Sequence, residues 1–164
     1  MLTVRTATDA DLDRVMEIYE IARAFMIENG NPTQWADGYP QRELVQEDIR
    51  TGICRVVCDG EKVCGVFVLL AGDDPWYRRI EGGQWRNDEP YLAIHRIASD
   101  GTRHGVFQCA TDFAKERCNN VRIDTHRDNR VMQKLILKSG FIRCGTVFVA
   151  GDSPRIAYQW TREA

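Results

Sequence analysis

Hydrophobic and polar positions alternate in ways that divide the chain into strands and helices. Residues 3–7 alternate polar and apolar side chains, and Thr8 then precedes a run rich in aspartate, which is typical of a helix start. Between residues 12 and 26 the apolar side chains recur at helical spacing, and Gly30 ends that segment. The pattern predicts a strand that is followed by one long amphipathic helix.

The rest of the chain continues this alternation of β-rich runs and helical periods. Two β-rich runs, residues 53–58 and 63–70, are separated by the turn signal DGEK and predict an antiparallel hairpin. Strands joined through helices can run parallel, so the order βααβββαβαββ predicts an α/β fold with a mixed central sheet flanked by helices. The remaining predicted elements are helices at residues 42–51, 105–118 and 129–138, with Asp128 as the N-cap of the last, and strands at residues 91–99, 121–125, 141–149 and 156–160.

Length and hydropathy predict one domain without a membrane segment. A chain of 164 residues is long enough to bury a core as one unit, which predicts a single domain over residues 1–164. No apolar run approaches the roughly 18 residues of a membrane span, and the first residues lack the apolar stretch of a secretory signal. We therefore expect a cytoplasmic protein that makes no membrane contact.

Charge and cysteine spacing argue against two further classes of protein. The formal net charge of −2 disfavours a nucleic-acid-binding protein, because neutralising phosphates requires a basic surface. The six cysteines form no C-x-x-C pair. We therefore expect free thiols, with neither a metal site nor a disulfide.

A glycine-containing loop connects the predicted strand at residues 91–99 to the helix at 105–118. The first backbone N–H groups of a helix are unpaired and the helix dipole lies behind them, so such a loop can hold a pyrophosphate. The same kind of loop is also common as a simple turn. The loop alone leaves both interpretations open.

Two segments make the chain resemble the GNAT acetyltransferase family over nearly its whole length. The family loop Q/R-x-x-G-x-G/A, which cradles the pyrophosphate of coenzyme A, corresponds to TRHGVF at residues 102–107. The family segment N-x-x-A-x-x-L-Y-x-K-x-G-F corresponds to residues 129–141, with Leu135, Gly140 and Phe141 at matching positions. The resemblance implies an N-acetyltransferase that uses acetyl-CoA. It implies contacts to coenzyme A from Ile97, Ala98, Ser99, Thr102, Arg103, His104, Gly105, Val106, Phe107, Asn129, Met132 and Lys138.

Positions in both segments depart from the family pattern. Thr102 stands where the family has Gln or Arg, and Phe107 stands where it has Gly or Ala. Ile136 occupies the position of the tyrosine that commonly protonates the departing thiolate, and isoleucine has no proton to donate. A thiol of pKa about 8.5 is a tolerable leaving group, so another group or water can protonate it, or it can leave unassisted.

His95 is the candidate general base. An alkylamine with a pKa near 10.4 is mostly protonated at pH 7, so a nearby base helps it to attack, and histidine side chains titrate in the useful range. Strand alternation predicts that His95 shares a face with Ala93 and Ile97. By resemblance, Ala93 matches the glutamate of histone-type members, whereas arylalkylamine acetyltransferases carry a histidine at the position of His95. The alternative is a histidine that is buried and satisfied under the sheet.

Two long connections, residues 31–40 and 71–90, are expected to recognise the acceptor. Both are rich in aromatic side chains, which can form the wall of an amine pocket or anchor the loops to the core. Glu81 or Asp88 could attract an ammonium group, and His126 could add a polar contact or cap a helix start. The aromatic candidates are Trp35, Tyr39, Trp76, Tyr77 and Trp85, and the predicted substrate-binding set is Trp35, Tyr39, Trp85 and His126.

Together these features predict direct transfer of an acetyl group from acetyl-CoA to a primary amine of a small molecule or peptide. A backbone N–H of the strand at residues 91–99 would stabilise the developing oxyanion. A catalytically weakened sensor that binds acyl-CoA is the alternative, motivated by Phe107 and Ile136, and use of the fold for partner contacts alone is a third. Strand edges near the C-terminus could pair in a homodimer.

Overall fold

A computed structural model describes residues 1–163. Its strands and α-helices follow the predicted order βααβββαβαββ, which confirms the fold class. Short 3₁₀ turns occur between several of these elements. The strands are β1 (Leu2–Thr6), β2 (Cys54–Asp59), β3 (Lys62–Ala71), β4 (Leu92–Ser99), β5 (Asn120–Thr125), β6 (Ile142–Val149) and β7 (Ser153–Thr161), and the helices are α1 (Leu12–Glu28), α2 (Arg42–Arg50), α3 (Val106–Arg117) and α4 (Arg130–Lys138).

The seven strands form one mixed sheet with the order β1-β2-β3-β4-β5-β7-β6. Only the β4–β5 pair is parallel, because α3 carries the chain back between those strands. Apolar residues of α1 and α2 pack on one face of the sheet, called here the first face, and those of α3 and α4 pack on the second face. None of the described helices combines the length and apolarity needed to cross a bilayer.

One helix start differs from its predicted boundary. Asn129, rather than Asp128, is the N-cap of α4, and its side-chain Oδ1 accepts the backbone N–H of Met132 at 3.1 Å. The backbone N–H of Asp128 is already donated to Nδ1 of His126 at 3.0 Å. A histidine-capped turn therefore precedes the helix and moves its first residue one position along the chain.

The two parallel strands separate after a short contact. Pairing of β4 with β5 covers only three positions, ending at Ile94 and Ile123. Beyond that point β4 continues to Ser99 and β5 to Thr125 without pairing to each other. The sheet therefore opens into a cleft between β4 and β5.

A β-bulge in β4 lies beside this cleft. Val66 of β3 pairs with Ala98 and Val68 pairs with His95, so Arg96 and Ile97 together oppose the single residue between them on β3. Arg96 adopts a φ of 47°. The extra residue reverses the alternation, so Ile97 packs on the second face and not with Ala93, which corrects the predicted shared face.

Long-range contacts of Arg96 hold the bulge in place. Its guanidinium donates two hydrogen bonds to the buried carboxylate of Asp48 on α2, at 2.9 and 2.8 Å. Its backbone carbonyl accepts the hydroxyl of Tyr19 on α1 at 2.9 Å, and burial raises the pKa of that hydroxyl well above its ordinary value. Tyr19 therefore stays a hydrogen-bond donor, and both helices of the first face hold this part of β4.

Candidate active site

A cavity of about 760 Å³ occupies the cleft between β4 and β5. The connection between α1 and α2 lines it with Trp35 and Tyr39, and the long connection between β3 and β4 contributes Asp74 and Trp76. The cavity is therefore enclosed by both of the connections that the sequence assigns to acceptor recognition. The strands and α4 line it with His95, Arg96, Ile97, Ile123, Asp124, Thr125, Asn129, Met132 and Arg155.

His95 lines this cavity from β4, immediately after Ile94, the last residue of that strand to pair with β5. Its Nε2 lies 2.6 Å from Oδ2 of Asp74, and its Nδ1 lies 3.9 Å from Oδ2 of Asp124. The side chain retains 19% of its exposure. One ring nitrogen is thus bound to a buried carboxylate, while the other lies beside a second carboxylate.

Asp74 is a fixed and charged partner for the imidazole. Its side chain is 2% exposed, Oδ1 accepts the backbone N–H of Trp76 at 3.0 Å, and its own backbone N–H donates to the hydroxyl of Tyr91 at 2.8 Å. Burial alone would raise the pKa of Asp74, but the hydrogen bond and the charge of His95 outweigh it, so the pKa lies below its ordinary value. Asp74 is therefore a fixed carboxylate that can accept an N–H of the His95 ring at Nε2.

Asp124 supplies the second carboxylate. Its Oδ2 accepts the hydroxyl of Tyr77 at 2.6 Å, and burial together with the charge of Asp124 raises the pKa of Tyr77 well above its ordinary value. Tyr77 is therefore a permanent donor. Among residues 1–163, Oδ1 of Asp124 has no hydrogen-bond partner, so it can accept an N–H from a ligand in the cavity.

The start of α3 presents a row of free backbone donors. Gly105 is the N-cap in the left-handed region, with a φ of 92°, and no side chain caps the helix. The backbone N–H groups of residues 103–108 donate to no other group among the described residues, whereas those of Gly101 and Thr102 are bound by Ser99 and Asp100. This arrangement fits a pyrophosphate at a helix N-terminus.

Comparison with known proteins identifies the family of this chain. Scans against protein-family models and against curated proteins gave no match. An acetyltransferase of the GNAT family from Streptococcus agalactiae is 31% identical, with a TM-score of 0.90, over 99% of this chain and 96% of that one. The chain belongs to the GNAT family. The protein is accordingly an acyltransferase of the GNAT fold.

More distant GNAT structures share the fold. An acetyltransferase of the GNAT family from Bacillus cereus is 21% identical, with a TM-score of 0.64, over 100% of this chain and 99% of that one. The aminoglycoside acetyltransferase AAC(6')-Ib, solved with ribostamycin and coenzyme A, is 18% identical, with a TM-score of 0.68, over 98% of this chain and 93% of that one. The fold is thus retained at identities that carry no information on the acceptor.

Ile136 and Phe107, two of the positions that depart from the GNAT pattern, are accommodated inside the protein. Ile136 is fully buried in the cluster between α4 and the second face. The side chain of Phe107 is 8% exposed and packs into the same cluster, which leaves only its backbone at the loop. The aromatic ring that replaces Gly or Ala is therefore part of the core.

The predicted coenzyme A residues divide into three groups. Ile97, Asn129 and Met132 line the cavity, and Nδ2 of Asn129 donates to Oε1 of Gln34 at 3.1 Å. Arg103 forms an ion pair with Asp59 at 2.6 Å. The others do not line the cavity: Ala98 is buried in β4, Ser99 ends that strand, Thr102, His104 and Gly105 are exposed in the loop, Val106 and Phe107 are buried at the start of α3, and Lys138 is exposed at the end of α4.

The predicted acceptor residues are only partly brought together. Trp35 and Tyr39 line the cavity with ring centroids 6.3 Å apart. Trp85 does not line it and packs on Tyr77 at a centroid distance of 5.0 Å. His126 does not line it either, since its ring is bound by Asp128 and Thr33, and burial and the nearby positive charge of Arg155 lower its pKa. Of the two acidic residues suggested for the ammonium group, Glu81 pairs with Arg79 and Asp88 is exposed outside the cavity.

Several charged residues of the cavity were not assigned by the sequence. Asp74, Asp124 and Arg155 all line it. The Asp-Pro pair at residues 74–75, a helix-start signal, and the position of Asp124 near the end of a strand were the available signs. Arg155 follows a proline in a turn cluster and carried no comparable signal.

Proposed function

We propose that the protein transfers an acetyl group from acetyl-CoA to a primary amine of a small molecule or peptide, by direct attack within one domain. The observation that carries this proposal is the arrangement of His95 between the buried carboxylate of Asp74 and the open carboxylate of Asp124 at the mouth of the cleft. His95 is the catalytic base, and Asp74 is its positioning residue.

The described residues fit coenzyme A along one edge of the cleft. The free N–H groups at the start of α3 would hold the pyrophosphate, and the unpaired edge of β4 beyond Ile94 would bind the pantetheine amides, next to Asn129 and Met132. Bound there, acetyl-CoA supplies a thioester whose acyl carbon is attacked and whose thiol leaves. The bulge supports this arrangement, because the Arg96 carbonyl is turned to Tyr19 and the next N–H, that of Ile97, points the opposite way. The Ile97 N–H is the candidate oxyanion donor.

The carboxylates and the imidazole have separate roles toward the amine. Oδ1 of Asp124 attracts the ammonium form of the acceptor into the cleft. Nδ1 of His95 then takes one proton from it, which yields the neutral amine that attacks. The charge of Asp74 stabilises the resulting imidazolium. Ile136 has no proton to donate, and a thiol of pKa about 8.5 can leave without an acid.

A sensor that binds acyl-CoA without chemistry is the alternative, favoured by the absence of an acid at Ile136. The two functions are separated by calorimetry with coenzyme A combined with a thiol-release assay over a panel of amines. We expect coenzyme A binding and thiol release that depends on the amine. Binding without release for every amine would support the sensor, and the absence of binding would contradict both.

The Gly105→Ala variant tests the pyrophosphate site. An alanine at a φ of 92° is strained by about 1 kcal/mol, and relieving the strain turns the N–H groups at the start of α3 away from the ligand. We expect the Kd of coenzyme A to rise roughly tenfold, a typical effect of losing one or two charge-assisted hydrogen bonds.

Gly60→Ala is the matched control for this variant. Gly60 has a φ of 62° in the turn between β2 and β3, and a Cβ there meets no atom within 4 Å. The Gly60→Ala variant should lose about as much stability as Gly105→Ala and should bind coenzyme A as the wild type does. Equal affinities of the two variants in calorimetry would show that the α3 start does not hold the pyrophosphate.

A further inference from the structure

Arg155, near the start of β7, is a buried cation in the wall of the cavity. It is 9% exposed, yet no carboxylate of residues 1–163 lies within ion-pair distance of it. Its Nη1 donates to Oγ of Ser153 at 2.6 Å and to the carbonyl of Pro154 at 3.1 Å. Its Nη2 donates to the carbonyl of Gln34 at 3.4 Å. All of its protein partners are thus neutral oxygens.

A buried guanidinium without a carboxylate is costly unless an anion joins it. Burial lowers the pKa of Arg155 by more than the nearby charge of Asp124 raises it. Among the described residues, its Nε–H and one Nη2–H have no partner. These two groups can form the forked edge that matches the two oxygens of a carboxylate.

The charged groups near Arg155 are placed on one face of the sheet. Ile94 and Ile123 are paired and face α3 and α4, so the next residues, His95 and Asp124, lie on the first face. Asp124 pairs with Ala157 of β7, and Arg155 precedes Ala157 by two residues, which puts it on the first face and diagonal to Asp124. The base, an acidic group and the cation therefore follow one another across β4, β5 and β7.

We propose that the acceptor carries a carboxylate as well as its amine, as a free amino acid does, and that Arg155 binds that carboxylate. The amine then lies at Asp124 and His95, where the sheet opens, and the carboxylate lies one strand further across the sheet, against the forked edge of Arg155. This assignment rests on the proposed function. It names the class of acceptor for the same site.

The charges of the cavity also favour such an acceptor over a ligand that carries several positive charges. Ribostamycin and kanamycin, which occupy AAC(6')-Ib in two solved structures, carry several amines and no carboxylate. A buried guanidinium in the cavity wall would repel such a ligand, whereas a zwitterion meets an opposite charge at each end.

The test is calorimetric titration with the twenty standard amino acids and with their α-carboxamides. The carboxamides keep the amine and the side chain but lack the negative charge of the α-carboxylate. Titrations are made with and without coenzyme A. We expect at least one amino acid to bind roughly 10- to 100-fold more tightly than its carboxamide, as a charge-assisted hydrogen-bond pair predicts. The Arg155→Gln variant should abolish that difference, and Arg155→Lys should reduce it, because lysine keeps the charge and loses the fork.

Arg143→Gln, which removes an exposed arginine of β6, is the matched control and should bind as the wild type does. If Arg155→Gln fails to fold, the acid and carboxamide pairs on the wild type still decide the question. Equal binding of acid and carboxamide, or binding of no amino acid, overturns the proposal. Thiol release with simple amines but no preference for a carboxylate would overturn it while the proposed function stands. A carboxylate preference without coenzyme A binding would contradict the proposed function and would keep Arg155 as a carboxylate site.

Discussion

The His95→Gln variant should lower kcat/KM for the amine acceptor by roughly 10²- to 10⁴-fold at pH 7, the range expected for loss of a general base. Glutamine is similar in size and polar, but it accepts no proton in this pH range. Among the described residues that line the cavity, His95 is the imidazole that lies beside both Asp74 and Asp124. The measurement is steady-state thiol release over a pH series.

The pH dependence distinguishes a lost base from a damaged fold. Without His95, the acceptor must reach the site already neutral, and the neutral fraction of an alkylamine of pKa near 10.4 grows tenfold per pH unit. The residual rate should therefore continue to rise with pH beyond the range in which the wild type levels off, while the affinity for coenzyme A stays the same. If the rate at pH 7 and the pH profile both stayed unchanged, His95 would be a structural residue.

The order of elements could be predicted because it follows from the local spacing of hydrophobic residues and turn residues. Helical spacing in α1 and the turn signals of the β2–β3 hairpin depend on neighbouring residues alone. The bulge in β4 could not be predicted, because it depends on contacts between Arg96 and two residues, Asp48 and Tyr19, that are distant in sequence. Because of that single extra residue, Ile97 lies on the opposite face from the one that strict alternation predicts.

The site was predicted where the strand and the connections alone determine it. His95, Trp35 and Tyr39 were assigned from their elements, and all three line the cavity. Trp85 was assigned on the same compositional grounds, yet it stacks at 4.1 Å on the guanidinium of Arg122, a contact that joins its loop to β5. An aromatic residue in a loop has the same sequence signature whether it anchors the loop or lines a pocket.

Acidic partners were missed for a related reason. Asp74 lies in a polar connection that contains several acidic residues, and only the folded position of that connection brings it to within 2.6 Å of the His95 ring. Neighbouring Asp73 pairs with Arg78 at the surface instead. Two adjacent aspartates thus have different roles that no local pattern distinguishes.

The Asp74→Asn variant should lower kcat/KM by roughly 10²-fold, part of the loss that follows when an orienting carboxylate becomes an amide. An asparagine can donate its amide hydrogen to Nε2 of His95, which would place the ring proton on Nδ1 and block acceptance of a proton there. The pH profile of thiol release should also change, because the imidazolium loses its charged partner. The measurement is thiol release as a function of pH.

Asp73→Asn is the matched control, since it removes an exposed carboxylate one residue away and should leave both activity and the profile unchanged. Stability supplies a second readout. The pKa of Asp74 is lowered in the fold, so its contribution is present above a pH of about 4 and is lost as the pH falls through the lowered value. The wild type should therefore lose stability in acid more steeply than Asp74→Asn does, as measured by urea unfolding. If the variant kept the wild-type rate and pH profile while its acid stability changed as expected, Asp74 would support the loop and not the catalytic base.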